Sequence, residues 1–233
     1  SFLIESGADC IMVNDIPREA IDSQVDVIVL ALKIRSIPAN EALAKVEEAI
    51  DYLEKIGASR IYYKYCSTFD STEKGNIGPI LDYLLERYNQ KFTIVSPALP
   101  TNRREVFNGY LFADGVLLDE SSMRYHPLNP MADSYLPRLL DKQSSYRCFS
   151  LNYRMLERSK EEILAYVKKL SEAEHFYLVP DYIRDRDGEV LAKVFGDLKI
   201  LSGSSALINE WFKYLFTNRE GKGIKEFPKD SSP

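Results

Sequence analysis

Short apolar runs alternate with longer amphipathic segments along most of the chain. The runs are four to six residues long and rich in β-branched and aromatic side chains. Continuous apolar runs of this kind are typical of parallel strands that are covered on both faces. They predict strands at residues 10–13, 25–30, 60–65, 92–95, 146–149, 175–179 and 198–201.

The segments between these runs have the spacing of helices. Ala42, Val46 and Ile50 lie four positions apart, and Gly57 follows as a helix-ending glycine. The same reasoning predicts helices at residues 40–56, 77–88, 159–170, 181–195 and after Gly203 through Trp211. Residues 1–7 resemble the end of a helix, so we expect chain before Ser1. The β-α order indicates a parallel sheet between layers of helices.

The middle of the chain departs from this alternation. Residues 110–118 predict a β-hairpin with a glycine-containing turn, and residues 120–133 form a proline-rich loop without a hydrophobic period. The sequence therefore predicts a three-layer α/β/α fold with a mostly parallel sheet and a β-hairpin insertion in the middle. We assign residues 1–216 to one domain and residues 217–233 to a linker or tail.

Composition narrows the functional classes. The chain has 233 residues and a formal net charge of −5, which argues against general nucleic-acid binding. It has no apolar run of the roughly 20 residues that a membrane span needs, and we expect no signal peptide. Three separated cysteines and two histidines predict no metal site, and free thiols fit a cytoplasmic protein.

The strongest chemical candidate is the loop of residues 64–79, between a strand and a helix. Ligands of open parallel sheets bind at the carboxyl ends of strands, and a helix N-terminus there favours anions. The candidates in this loop are Lys64, Ser67, Asp70 and Ser71. Asp70 could orient or deprotonate a substrate hydroxyl. The alternative is a loop of helix caps and turns.

Three other segments supply candidates. Lys33 and Arg35 follow the second predicted strand and would share a sheet edge with Lys64, unless they are only solvated charges. In the proline-rich loop, an arginine can bind a carboxylate and a histidine can move a proton. The candidates there are Arg124, His126 and Asn129, and Gly203 and Ser204 form a short anion-cradle pattern after the last strand.

Four of these segments together resemble one family. They are residues 31–38, residues 64–79, the Asn-Gly-Tyr-Leu-Phe string at 108–112, and the Glu-Ser-Ser-Met-Arg-Tyr-His-Pro-Leu-Asn-Pro-Met string at 120–131. This set is similar to the four-carbon acid sugar kinases, in their 3-oxo-tetronate kinase branch. The resemblance runs over roughly residues 1–215.

The resemblance implies the substrate-binding N-terminal domain of a two-domain, ATP-dependent kinase. The γ-phosphoryl group would pass to the 4-hydroxyl of 3-oxo-tetronate, threonate or erythronate. ATP and Mg²⁺ would be bound mainly by a C-terminal domain that is absent here, so we expect this chain alone to be inactive. The acidic opening motif of the family is also absent, which leaves the general base open.

Two other functions stay open. A non-catalytic sugar-acid sensor would also lack a nucleotide motif, and a hydrolase or aldolase on the same sheet is the least supported. In each case the expected partner is a small-molecule sugar acid, with no nucleic acid or membrane, and a homo-oligomer is left open.

Overall fold

Five parallel strands form the central sheet of the protein. The computed structural model describes residues 2–5, 7–21, 25–170 and 174–217. The strands are β1 Cys10–Asn14, β2 Val27–Ala31, β3 Ile61–Lys64, β4 Phe92–Ser96, β5 Arg104–Phe107, β6 Tyr110–Ala113, β7 Val116–Leu117, β8 Arg147–Leu151, β9 Phe176–Pro180 and β10 Ile200–Gly203. The order in the central sheet is β3-β10-β4-β9-β8.

Helices cover both faces of this sheet. They are α1 Phe2–Glu5, α2 Ala39–Lys55, α3 Ile77–Arg87, α4 Leu136–Gln143, α5 Tyr153–Leu156, α6 Lys160–Leu170, α7 Asp185–Phe195 and α8 Ser205–Thr217. Helix α3 connects β3 to β4, while α6 and α7 make crossovers in the opposite direction along the sheet. Right-handed crossovers in opposite directions place their helices on opposite faces. Accordingly, α3 packs with α2 and α4, whereas α7 packs with α6 and α8.

The three-layer fold and the inserted hairpin are confirmed. The insertion is a three-stranded antiparallel sheet, β5-β6-β7. Strand β5 was not predicted because it opens with the charged pair Arg104-Glu105, and the eight-residue helix α4 was not predicted either. Helix α7 starts at Asp185 rather than 181. The predicted loop of residues 120–133 contains a 3₁₀ turn at Ser122–Tyr125.

Strands β1 and β2 depart from the expected single sheet. They pair in parallel with each other and, within the described residues, with none of the five central strands. Lys33 and Arg35, which follow β2, therefore do not lie on the same sheet edge as Lys64, which ends β3. Nearly all of the tail predicted at 217–233 lies outside the described residues.

The insertion is tied to the central sheet at the end of β9. Val106 and Tyr182 exchange backbone hydrogen bonds of 3.0 and 2.9 Å. The neighbouring Asp181 is buried, and its Oδ2 accepts a hydrogen bond from the Tyr153 amide at 2.9 Å. Burial raises the pKa of this carboxyl, although the backbone N–H groups of Tyr153, Asn108 and Gly109 act in the opposite direction.

The single tryptophan closes the junction between α7 and α8. Trp211 is buried and its indole Nε1 donates to the Gly196 carbonyl at 2.8 Å. Arg60 Nη1 donates to three carbonyls at the same helix end, those of Gly196, Asp197 and Leu198, at 3.3, 3.1 and 2.8 Å. These donors satisfy carbonyls that a helix end otherwise leaves unpaired. None of the described helices is long and apolar enough to cross a membrane.

Candidate functional site

Asp70 is the most buried charged side chain of the candidate loops. It follows the carboxyl end of β3, and the residue is 3% exposed. Phe69 and Asp70 both have left-handed backbone angles, with φ of 59° and 51°. Left-handed backbone is costly for residues other than glycine, although aspartate tolerates it better than most. The chain thus accepts local strain to turn this carboxylate inward.

Two other loops reach the Asp70 carboxylate. Arg35 Nη1 donates to Oδ2 at 3.2 Å, and Asn129 Nδ2 donates to Oδ1 at 3.1 Å. Asn129 also contacts the Ser36 hydroxyl at 3.3 Å. One buried carboxylate therefore joins the loop after β2, the loop after β3 and the proline-rich loop.

His126 completes this arrangement. Its Nδ1 lies 3.7 Å from Asp70 Oδ1, but it accepts a hydrogen bond from the Asn129 amide at 3.1 Å. An accepting Nδ1 carries no proton, so we assign the neutral ring with its proton on Nε2 rather than an ion pair with Asp70. We refer to Arg35, Asp70, His126 and Asn129 as the Asp70 cluster.

Two amide side chains that the sequence did not single out support the cluster. Asn76 Nδ2 donates to the carbonyls of Ile34 and Ile37, at 2.7 and 3.3 Å. Gln143 Nε2 donates to the Ser71 hydroxyl at 3.1 Å and to the Thr72 carbonyl. Asn76 stood in the predicted loop, but nothing in the sequence showed its partners, and Gln143 lies in the unpredicted helix α4.

The N-terminus of α3 is partly occupied by Gln143. The Gly78 amide donates to Gln143 Oε1 at 3.0 Å, so this N–H is not free to bind an anion. A Cβ at Gly78 would lie 2.7 Å from Gln143 Cβ, which explains why glycine is needed there. The expectation that this helix end receives the ligand is therefore weakened. Ser71 is buried in the same contact, and Ser67 is half-buried.

The other predicted cations are not bonded to the Asp70 cluster. Lys33, Lys64 and Arg124 are exposed, and within the described residues no hydrogen bond or ion pair joins them to it. Arg124 Nη1 instead donates to the Asp119 carbonyl at 3.2 Å. The structure thus brings Arg35 to Asp70, while the three other cations make no hydrogen bond or ion pair with the cluster within the described residues.

Gly203 and Ser204 are used by the sheet itself. A Cβ at Gly203 would lie 2.4 Å from the Ser96 carbonyl oxygen. The Ser204 amide donates to that same oxygen at 2.9 Å, and its hydroxyl donates to the Ala98 carbonyl at 2.5 Å. The Ser204 carbonyl accepts the Tyr62 hydroxyl at 2.7 Å. These groups are therefore engaged where β10 meets α8.

Two clefts of the described surface are lined by no residue of the Asp70 cluster. One of about 410 Å³ is lined by Asn89, Lys91, Tyr146, Glu174 and His175, at the amino ends of β4, β8 and β9. We give more weight to the Asp70 cluster, because it follows the carboxyl end of a parallel strand, where such sheets bind ligands. No three His, Cys, Asp or Glu side chains of the described residues come together in a way that could hold a metal ion.

Comparisons with known proteins place the chain in a family. Residues 1–211 match a family model described as "Sugar-binding N-terminal domain". The chain is 42% identical over 207 residues to a 3-oxo-tetronate kinase of Haemophilus influenzae, covering 89% of this chain and 50% of that protein. It is 41% identical to the 3-oxo-tetronate kinase of Escherichia coli K12, covering 89% of this chain and 53% of the relative.

Solved structures show the same fold. Haemophilus influenzae protein HI1011 superimposes with a TM-score of 0.88 at 40% identity, covering 97% of this chain and 55% of that chain. A protein from Salmonella typhimurium LT2 superimposes with a TM-score of 0.89, also at 40% identity, covering 93% of this chain and 52% of that one. The chain thus spans about half the length of the relatives that it matches.

Proposed function

Because the chain belongs to the family of sugar-binding N-terminal domains, we propose that it binds the acceptor substrate of an ATP-dependent sugar-acid kinase. The acceptor would be a four-carbon acid phosphorylated on its 4-hydroxyl, with 3-oxo-tetronate first and threonate or erythronate next. Relatives about 40% identical are named 3-oxo-tetronate kinase, which supports this substrate class. The observation that carries the proposal is the convergence of three loops on Asp70.

Arg35 is the residue that we propose binds the acid group. Its side chain is 58% exposed although one guanidinium nitrogen is bound to Asp70, so the other guanidinium nitrogens face solvent. A guanidinium offers paired donors that match a carboxylate, and fixing one nitrogen sets the direction of the others. Arg35 would therefore distinguish an acid from a neutral sugar of the same length.

Asp70 acts in this proposal as an orienting residue. Both of its oxygens already accept hydrogen bonds, from Arg35 and Asn129, and the residue is almost fully buried. A general base needs a carboxylate oxygen within hydrogen-bonding reach of the acceptor hydroxyl. The geometry thus favours Asp70 as the anchor for Arg35 and Asn129, and the Asn129 amide in turn holds His126. His126 Nε2–H then remains as a donor for a substrate hydroxyl.

We propose that ATP and Mg²⁺ are bound mainly by the half of the full-length relatives that this chain does not match. Among the described residues, no three His, Cys, Asp or Glu side chains come together to hold a metal ion. Residues 1–216 would then form the sugar-acid domain and residues 217–233 the connection to a nucleotide-binding domain. In phosphoryl transfer, the domain that binds the acceptor contributes mainly by aligning the acceptor hydroxyl with the phosphoryl group. The free thiols suit a cytoplasmic enzyme.

Calorimetry on this chain tests the proposal. We expect D-threonate or D-erythronate to bind more tightly than threitol and erythritol, which have the same carbon count without the carboxylate. Arg35→Ala should weaken binding of the acid by roughly 10- to 100-fold and leave any binding of the alcohols unchanged. Equal affinity for acid and alcohol would refute a cationic acid site.

A second measurement separates the kinase from the sensor. The full-length protein should convert ATP and a tetronate to ADP and the 4-phosphate, as followed by ³¹P NMR. Tight tetronate binding without any phosphoryl transfer would instead indicate a sensor.

A further inference from the structure

We propose that Asn76 is a positioning residue, which holds the loop of Arg35 against the loop of Asp70 and thereby fixes the acid-binding guanidinium. This inference rests on the proposed function, because it concerns the same site. The argument has three steps: what else sets the distance between the two loops, what the Asn76 amide does, and what the Arg35 loop needs.

The first step is that no strand pairing fixes the distance between Arg35 and Asp70. Arg35 follows β2, which pairs only with β1 among the described strands, whereas Asp70 follows β3 in the central sheet. In an ordinary parallel sheet the hydrogen-bond ladder would set the spacing of loops at neighbouring strand ends. Here the spacing is set by the packing of Ile34 and Ile37 against the core and by the hydrogen bonds that cross between the two loops.

The second step concerns the amide of Asn76. A side-chain amide has two N–H donors, and Asn76 directs Nδ2 at two carbonyls, Ile34 at 2.7 Å and Ile37 at 3.3 Å. These carbonyls bracket Arg35 in sequence. Asn76 is only 3% exposed, so its amide is withdrawn from water and depends on these partners.

Asn76 also gives up its ordinary role at this position. It is the N-cap residue of α3, where asparagine normally accepts a hydrogen bond from an amide of the first turn. The Asn76 side chain makes no such bond. A side-chain cap of this kind stabilises a helix, so the Asn76 side chain joins two loops at the expense of local helix stability.

The third step concerns the Arg35 loop. Lys33 has a left-handed φ of 54°, which is costly for a lysine. The turn that follows is closed by a long hydrogen bond, from the Ile37 amide to the Ile34 carbonyl at 3.4 Å. Asn76 binds the carbonyls at both ends of this turn. The Asn76 amide thus adds two hydrogen bonds to a strained and weakly closed turn that presents Arg35.

The test is Asn76→Asp, which keeps the shape and the capping ability of the residue but removes both donors. Asn76→Ser is the uncharged second variant, since serine also caps helices but lacks the paired donors. The matched control is Asn152→Ala, because Asn152 forms a side-chain cap on α5 through the Met155 amide, away from the cluster. Each variant is compared with the wild-type chain by calorimetry with D-threonate and by thermal unfolding.

We expect both Asn76 variants to weaken threonate binding by roughly tenfold, and Asn152→Ala to leave it unchanged. In an Arg35→Ala background the Asn76→Ser change should cost less than about twofold, because the residue through which Asn76 acts is gone. Full additivity with Arg35→Ala would overturn the proposal, as would an Asn76→Ser affinity equal to that of wild type. A loss that only tracks thermal stability in all three variants would do the same.

A readout without ligand separates this inference from the proposed function. In ¹⁵N-arginine-labelled protein, the Arg35 Nε–H resonance is assigned by its loss in Arg35→Lys. We expect it to shift and to exchange faster with water in Asn76→Ser, and to stay unchanged in Asn152→Ala. If wild type binds no tetronate, the proposed function fails, and this resonance still decides whether Asn76 holds Arg35. An unmoved resonance would refute the positioning role.

Discussion

The Asp70 carboxylate combines burial, a left-handed backbone and two side-chain donors in one residue. Its ion pair with Arg35 is half-exposed, because the Arg35 side chain reaches solvent while Asp70 does not. Exposed ion pairs contribute little to stability, but a hydrogen-bonded carboxylate that is itself buried contributes more. This contact therefore stabilises the fold mainly by satisfying the buried Asp70 carboxylate.

Asp70→Asn tests this asymmetry. Asparagine also tolerates left-handed backbone, so the substitution changes charge and one acceptor and little else. We expect the free energy of unfolding to fall by about 1–3 kcal/mol, measured by urea denaturation. Asp114→Asn is the control, since Asp114 has φ of 56° and pairs with Arg104, but its side chain is 55% exposed. A similar loss at both positions would contradict the role of burial.

Several candidate residues could be identified from sequence because loops after strands follow a simple rule. Arg35, Asp70, His126 and Asn129 all lie in segments that the sequence placed in loops, and the structure brings them together. The rule could not show that Arg35, and not Lys33, Lys64 or Arg124, is the cation bonded to Asp70. Which cations converge depends on how strands pair, and that is decided by contacts between segments distant in sequence.

At the scale of elements, the first turn of α3 is shaped by its close approach to α4. The Gly78 amide donates to Gln143, and a Cβ at this position would also lie 2.9 Å from the Gln143 backbone carbonyl carbon. Backbone atoms cannot move aside as the end of a flexible side chain can. The sequence did not show this contact, because α4 was not recognised as a helix.

Gly78→Ala tests how rigid that contact is. Alanine would favour the helix by about 1 kcal/mol, but overpacking typically costs about 1–3 kcal/mol. We expect the second effect to dominate and the free energy of unfolding to fall by about 1–2 kcal/mol, as measured by denaturant titration. Gly57→Ala provides the comparison, because only its φ of +83° is strained and no atom lies within 4 Å. A more stable Gly78→Ala variant would show that α4 moves freely.

At the scale of the whole molecule, a few buried polar contacts join the central sheet, the β1-β2 pair and the inserted sheet β5-β6-β7. The alternation of strands and helices predicted the central sheet, since each strand and each helix has its own hydrophobic pattern in the sequence. It could not predict that β1 and β2 form a separate pair, because their apolar residues fit either arrangement. Asp181 makes one of these contacts. Its carboxyl accepts a hydrogen bond from the Tyr153 amide at the start of α5 and lies close to Asn108 and Gly109, in the turn between β5 and β6.

The raised pKa of Asp181 predicts a pH dependence of stability. A carboxyl whose pKa is higher in the folded state favours folding most when it is protonated, below the ordinary value of 3.8. This contribution is lost as the pH rises through the folded-state pKa. We expect Asp181→Asn, which keeps an acceptor for the Tyr153 amide, to remove that decline. Urea denaturation of wild type and Asp181→Asn, at a series of pH values from about 3.5 to neutrality, measures how the free energy of unfolding changes with pH.

The control is Asp133, whose pKa is shifted in the opposite direction. Burial alone would raise it, but hydrogen bonds from Arg138 and the Tyr135 amide lower it below 3.8. Its contribution is therefore lost as the pH falls, so Asp133→Asn should flatten the acid side of the profile. Identical pH profiles for wild type and Asp181→Asn would contradict the assignment.

The lone tryptophan has a practical consequence. Because Trp211 is shielded from water and bonded to the carbonyl that ends α7, its emission on excitation near 295 nm reports the docking of α8. Detachment of that helix would expose the indole and move the spectrum to longer wavelength. The protein therefore carries an intrinsic optical probe with which the unfolding of every variant proposed above can be followed without a dye.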